Sequence, residues 1–281
     1  MKFKKYIEKF NPDEIIKLNS EGKNIKEIAE IIDIPAKRLA EMIKEFNLNI
    51  KKGSDSKKIN ETFFDKIDSE EKAYLLGFFI ADGCMIKEEK RNNSYSYRFS
   101  INNSIDDIDV VLLFKKFICP NKEIKISSNQ NGVKHHRKDQ AILRWTSKHM
   151  FETLENYNIH PRKTFDNTFD IPDIIPDNLI RHFIRGFFDG DGHKGSTDIS
   201  FVLNSLKFGN RIKKFFDNFK TRKYTIQGKT CEYYRLHITG GKELLNWINN
   251  QFYNNANYYL KRKYISFNSE VSIETKESIT P

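Results

Sequence analysis

Apolar positions near the start of the chain recur at helical spacing, and then the pattern stops. Ile25, Ile28, Ala29 and Ile32 fall on one helical face, and Leu39, Met42 and Ile43 on another. Asn11-Pro12-Asp13-Glu14 reads as a cap with proline in the first turn, and Asn24 as a second cap. Gly22 and the pair Asp33-Ile34 break the pattern, so residues 1–48 are expected to hold a small all-α unit of short helices. Residues 49–62 are polar and aperiodic, as a linker is. The four lysines Lys51, Lys52, Lys57 and Lys58 there either follow a phosphate backbone or are solvated.

From Phe63-Phe64 onward, helical and alternating stretches take turns. An apolar helix opened by Ser69-Glu70-Glu71-Lys72 runs to Asp82. Residues 95–101 alternate as a strand, with Arg98 and Ser100 outward if Tyr97, Phe99 and Ile101 face a core. A helix over 106–118 is stopped by Pro120, strands follow at 123–127 and 141–146, and Ser147 caps a further helix. The second round gives a strand at 198–203, a helix at 206–219, a hairpin of 223–226 with 232–238 about Gly228, and a helix at 243–248. The order helix, two strands, helix, two strands, helix thus occurs in residues 63–164 and again in 181–266. Residues 165–180, with Pro172 and Pro176, cross between the halves, and 267–281 form a polar tail.

The repeat is sharpest in Leu75-Leu76-Gly77-Phe78-Phe79-Ile80-Ala81-Asp82-Gly83 and Ile184-Arg185-Gly186-Phe187-Phe188-Asp189-Gly190-Asp191-Gly192, offset by 191 − 82 = 109 residues. Gly77 and Ala81 share a helical face, as do Gly186 and Gly190, and small residues at that spacing let two helix backbones approach closely. Gly83 and Gly192 are expected to end the helices in the left-handed conformation. Asp82 and Asp191 then add charge to the negative ends of two helices, a cost that a shared cation would relieve; the alternative is a pair of ordinary turn aspartates. Asp189, two residues before Asp191, is expected to point away from that centre.

Doubled in this way, the two stretches resemble the signature of the LAGLIDADG homing endonucleases in their single-chain form, over residues 63–266. The resemblance implies an α+β fold of two pseudo-symmetric αββαββα halves whose sheets form a DNA-binding saddle. It implies Asp82 and Asp191 as catalytic residues and metal ligands, with backbone carbonyls of Ala81 and Gly190 completing the shell. Lys163 and Lys263 match central basic positions, where they position water and offset charge, or else bind phosphate or face solvent. The outward strand residues Arg98, Ser100, Lys125, Arg144, Lys223, Arg235 and His237 are the expected DNA contacts, although a shift of one residue would turn any of them inward. Lys134, Arg137 and Lys138 lie in a basic loop that either binds phosphate or is a solvated hairpin tip. A further polar residue is expected on the second strand of each half, Ser100 or Asn102 in the first and Ser200 or Val202 in the second.

The implied activity is metal-dependent, site-specific hydrolysis of double-stranded DNA by a monomer, at a long pseudo-palindromic target and leaving 3′ overhangs. Mg²⁺ is the expected ion, with Mn²⁺ as a substitute. A DNA-binding regulator or an intron-RNA maturase on the same scaffold is the alternative. The front unit resembles the helix-turn-helix units of recombinases and repressors. It is either a DNA contact through Lys37, Arg38 and Lys44 or a packing appendage.

Composition agrees with a polyanionic partner. Lys plus Arg number 48 against 38 acids among 281 residues, a net charge of +10 that favours nucleic acid over membrane. Cys84, Cys119 and Cys231 are too scattered for a zinc site or a disulfide scaffold, and a reducing compartment is expected. No apolar run approaches a membrane span and Lys2, Lys4 and Lys5 are followed by no signal segment. The expected location is the cytoplasm or nucleoid of a prokaryotic or phage host, with organellar import left open. No intein flanks are expected around a chain that opens at Met1 and closes on Ile279-Thr280-Pro281.

Overall fold

The structure is a computed structural model that describes residues 5–21, 23–50, 59–90, 93–128, 138–161, 167–227 and 232–268. The chain divides into two units, Met1–Ile59 and Asn60–Pro281. In the first, Asn11 accepts the amide hydrogens of Asp13 and Glu14 at the start of α1 (Pro12–Ser20). Asn24 and Glu27 close a reciprocal capping box on α2 (Ile25–Ile31). Asp33 turns the chain at a φ of 54° before α3 (Ala36–Glu45). Ile15, Ile28, Leu39 and Met42 are fully buried between the three helices, with Phe10 and Ile43 beside them.

The second unit runs α4 (Glu70–Asp82), β1 (Gly83–Lys90), β2 (Ser94–Ser104), α5 (Ile108–Ile118), β3 (Lys125–Ser127), β4 (Gln140–Thr146) and α6 (Lys148–Asn156). It then repeats the order with α7 (Asp177–Asp191), β5 (Gly192–Lys194), β6 (Asp198–Leu203), α8 (Leu206–Phe215), β7 (Lys220–Gln227), β8 (Glu232–Thr239) and α9 (Gly241–Ile248). A π-helical turn, Asn249–Tyr253, and α10 (Lys261–Asn268) follow. Each half therefore reads αββαββα. The sheets are antiparallel, in the orders β1-β2-β4-β3 and β5-β6-β8-β7. One face of each sheet is buried by alternation. Phe99 and Trp145 stack at 5.4 Å between β2 and β4, against Phe79 of α4 and Phe114 of α5. In the second half Phe201 packs on Phe188 of α7 and Phe216, which follows α8.

The two halves join through α4 and α7. A Cβ on Gly77 would lie 2.0 Å from the Phe183 carbonyl oxygen, and one on Gly186 would lie 2.0 Å from that of Tyr74. The matching pair of distances is the local twofold of the interface. A Cβ on Gly190 would meet the Cβ of Ala81 at 2.3 Å, so the helices run parallel and stay in contact to their C-terminal turns.

Several boundaries differ from expectation. Gly83 and Gly192 are extended, with ψ of 156° and 155°, and begin strands instead of adopting the left-handed conformation. Glycine is needed there for space: a Cβ would strike the Phe79 ring at 2.2 Å or the Phe188 ring at 2.1 Å. The helix expected over 206–219 ends at Phe215, and the strand expected from Lys223 already begins at Lys220. The helix expected from 106 begins at Ile108, after a 3₁₀ turn, Ile105–Asp107. The strand expected over 123–127 is confined to Lys125–Ser127. Gly228, the expected hairpin tip, lies outside the described residues.

Substituting Gly77→Ala or Gly186→Ala should therefore destabilise the second unit by about 3 kcal/mol or more, because backbone atoms cannot yield as side chains do. Gly241→Ala, at a φ of 61° with nothing within 4 Å, should cost only about 1 kcal/mol. Urea denaturation of the three variants tests the contrast; equal losses would show that the helix contact is not limiting.

Candidate functional site

Parallel packing brings the C-termini of α4 and α7 together, and with them Asp82 and Asp191. The Asp82 carboxylate, half-buried, leans over the last turn of α7: a Cβ on Gly190 would be 3.4 Å from its Oδ2. Asp191 is exposed. Both carboxylates sit at the negative ends of helix dipoles, a placement that favours a positive charge between them. Among the described residues no group of three or more His, Cys, Asp or Glu converges to hold a metal ion. The donors on offer are two carboxylates and neutral oxygens, which fits a hard cation that keeps water ligands.

One neutral oxygen stands out. Asn103 is buried on β2 and its Nδ2 donates to Asp82 Oδ2 at 3.4 Å, while its Oδ1 is buried without a hydrogen-bond partner. A buried amide oxygen left unpaired is costly, and an ion or water at Asp82 would relieve it. Asn103, not Ser100 or Asn102, is the β2 residue that touches Asp82. Sequence held the signal: residues 97, 99 and 101 face inward, and Asn103 continues that series with a polar side chain. In the second half Ser200 is buried on β6, while Val202 and Asn204 line a cavity of about 450 Å³ beside Asp191, floored by Phe187 and Phe208.

Lys263, at the start of α10, is buried with its Nζ against the end of α7. It donates to the carbonyl oxygens of Phe188 and, at 2.6 Å, Gly192, and lies 4.5 Å over the Phe188 ring. The Phe188 carbonyl already accepts the Gly192 amide, so the ammonium adds a second hydrogen bond to it. Burial pulls its pKa down to about 8, against the attraction of Asp189, Asp82 and Asp191. Lys163 lies outside the described residues. Asp189 points away from the centre as expected. It is fully buried and accepts hydrogen bonds from Tyr74 Oη (2.9 Å), Tyr253 Oη (2.8 Å) and the Leu260 amide (2.7 Å), and burial raises its pKa.

Strand register sorts the expected contact residues by face. Arg98 pairs with Thr146, Ser100 with Arg144, and Lys125 with Ile142, so Arg98, Ser100, Lys125 and Arg144 share the open face of the first sheet. Arg98 also forms an ion pair with Glu88 at 3.0 Å. On the second sheet His237 pairs with Ser200 and Arg235 with Val202, both on the open face, and His237 contacts Asp198 at 2.7 Å. Lys223 does not join them. It pairs with the buried Leu236 and therefore points to the helix side, with its ammonium 5.4 Å from the Tyr234 ring. Its neighbour Arg222, opposite His237, takes the open-face position: the register with β8 gives the residue expected outward the wrong parity. Lys138 pairs with Asp106, whose hydrogen bond raises the lysine pKa. Lys134 and Arg137 lie outside the described residues. In the first unit Lys37, Arg38 and Lys44 are exposed on α3, and Arg38 pairs with Glu41 at 2.8 Å.

Residues 178–250 match the family of LAGLIDADG-like domains, so the chain carries such a domain. It is 27% identical over 218 residues to the uncharacterised protein MJ0314 of Methanocaldococcus jannaschii, covering 77% of this chain and 73% of that one. It is 28% identical over 142 residues to a DNA polymerase of Acanthamoeba polyphaga mimivirus, 48% of this chain but 7% of that one. Among solved structures it is similar to I-DmoI in complex with DNA and calcium, with 17% identity, a TM-score of 0.48 and coverage of 71% and 97% of the two chains. It is also similar to the I-SmaMI LAGLIDADG homing endonuclease bound to cleaved DNA, with 12% identity, a TM-score of 0.49 and coverage of 74% and 91%.

The unfolded chain holds the Lys263 proton up to the ordinary 10.5, whereas the native state releases it near 8. Wild-type stability relative to Lys263→Met should therefore rise with pH between those values, by up to about 3 kcal/mol, and be flat below them. Chemical denaturation of both proteins from pH 7 to 10.5 measures this; a pH-independent difference would mean that the ammonium is not desolvated.

Proposed function

We propose that this chain, which carries a LAGLIDADG-like domain, is a monomeric site-specific endonuclease that cleaves double-stranded DNA. The observation that carries the reading is the meeting of Asp82 and Asp191 at the end of a glycine-packed helix pair, immediately before the strands β1 and β5 of two sheets with basic open faces. Both halves of a symmetric site are present in one chain, so a single copy suffices to address two strands.

Asp82 and Asp191, with the backbone carbonyls of Ala81 and Gly190, would hold divalent cation, Mg²⁺ or Mn²⁺. When bound, it supplies charge neutralisation at the phosphate and a more acidic water. The chain's own residues do the rest. Arg98, Ser100, Lys125 and Arg144 on one sheet, and Arg222, Arg235 and His237 on the other, hold the duplex and read base edges and phosphates. Asn103 fixes the Asp82 carboxylate and offers its free Oδ1 to a ligand there. Lys263 brings a fixed positive charge to the end of α7, where it offsets negative charge developing at the scissile phosphate. In the first unit, Lys37, Arg38 and Lys44 extend the footprint on DNA.

The target is found by selecting cut sites from a genomic library in Mg²⁺. On that duplex Asp82→Asn and Asp191→Asn should each lower cleavage by about 10²-fold or more while binding stays within about tenfold. Ca²⁺ should permit binding with little cutting. Wild-type cutting by the double variant would rule out this centre.

Replacing Lys37, Arg38 and Lys44 together with alanine should flatten the dependence of log K on log salt by about 0.9 for each DNA phosphate that the variant no longer neutralises. An unchanged slope and affinity would make the first unit a packing element.

A further inference from the structure

Past the π-helical turn, the chain is seated residue by residue on carboxylates. Glu70, at the N-terminus of α4, accepts the Asn257 amide at 2.9 Å, the Asn257 side-chain amide at 2.8 Å and the Tyr258 amide at 3.3 Å. The same carboxylate takes Arg185 Nη2 at 2.8 Å. Burial would raise the Glu70 pKa, but the hydrogen bonds of Asn257 and the charge of Arg185 outweigh it and hold the group ionised. Asp189 takes the Leu260 amide, and Asp109 takes that of Lys261 at 3.1 Å. Asp107 receives the Arg262 guanidinium, Nε at 3.1 and 3.3 Å and Nη2 at 3.0 Å. The next residue is Lys263.

Three of these four carboxylates, Glu70, Asp107 and Asp109, belong to the first half, whereas the strap they hold continues the second. The Tyr258 ring adds an edge-on contact with Phe117 of α5 at 5.6 Å. Asp107 is the most telling of the set. It ends the 3₁₀ turn that runs into α5, and its side chain, 10% exposed, is turned to Arg262. The turn leading into α5 is already capped by Ser104, which leaves the Asp107 carboxylate to the strap. A forked guanidinium on a carboxylate fixes orientation as well as distance.

We propose that Asp107 is a positioning residue: through Arg262 it sets the Lys263 ammonium of the second half at the end of α7, so this basic group is in place only when the first half is docked. The inference rests on the reading that Lys263 serves the Asp82–Asp191 centre. It makes the strap a cross-connection, in which one half supplies the charge and the other aims it.

The test uses the full chain with Asp107→Asn, which keeps shape and acceptor but removes the charge, and the exchange pair Asp107→Arg with Arg262→Asp. Without DNA, acetylation of Lys263 by acetic anhydride is followed by mass spectrometry. Asp107→Asn should expose Lys263 and speed its acetylation about tenfold, with thermal unfolding little changed, and the exchange pair should restore protection. On the selected target in Mg²⁺, the single-turnover cleavage rate should fall about tenfold in Asp107→Asn with Kd within twofold, and recover in the exchange pair. Unchanged Lys263 acetylation in Asp107→Asn would overturn the inference whatever the cleavage rate. Parallel losses of melting temperature, affinity and rate without recovery would also overturn it, by assigning Asp107 to stability alone. Absence of cutting by the wild-type chain would sink the endonuclease reading, and the acetylation arm would still decide whether Asp107 positions Lys263.

Discussion

Two helix backbones touching at Gly77 and Gly186 govern the rest of the second unit. No side chain separates them there, and a single added carbon on either would sit 2.0 Å from a carbonyl oxygen. That contact fixes the distance between the halves, and because the helices are parallel it also fixes where their last residues lie. Two acidic residues at the ends of two aligned dipoles repel each other, and the arrangement favours a cation between them. The site is thus a by-product of packing: its acidic pair is held by glycines a full turn earlier in each helix.

Around this contact the polar residues are distributed unevenly. On α7 the buried Arg185 reaches Glu70 and the Phe252 carbonyl, and the buried Asp189 collects two tyrosine hydroxyls and an amide. Such groups stabilise only when every partner is present, since an unpaired charge in this position costs several kcal/mol. His182, pushed down to about 4 mainly by burial, stays neutral beside Arg185 at physiological pH and adds no second cation. The apolar clusters around Phe99 and Phe201 hold each sheet to its own helices; the charged residues hold one half to the other.

Much of the architecture was legible in the sequence because period and punctuation agreed. The caps at Asn11 and Asn24, the alternation of residues 95–101, and the doubled glycine spacing each had one physical solution. Asp82 and Asp191 could be placed together for the same reason. What escaped was whatever depended on an origin of counting. Lys223 faces the helices because β7 pairs in a register that its own polar sequence does not specify, and alternation alone leaves the choice of face open. Asn103 is hard to read from sequence because a polar side chain on a strand ordinarily faces outward, whereas this one acts from the buried side. The seats of residues 257–262 were beyond reach, since each joins positions more than sixty residues apart with no local periodicity to announce them.

The uneven wiring of the helix pair has a consequence for how such a chain can change over generations. At the offset of 109 residues, Asp189 corresponds to Ile80 and Tyr74 to Phe183. A hypothetical pairing of two second halves would put Phe183 where Tyr74 now donates to Asp189, and Leu179 where Glu70 now receives Arg185. A pairing of two first halves would set Glu70 against Leu76. Neither copy can stand in for its sibling, so the two similar halves form a lock with one key. The open faces of the sheets, or both helices together, can change without breaking this wiring, whereas one half cannot be traded for a duplicate of the other.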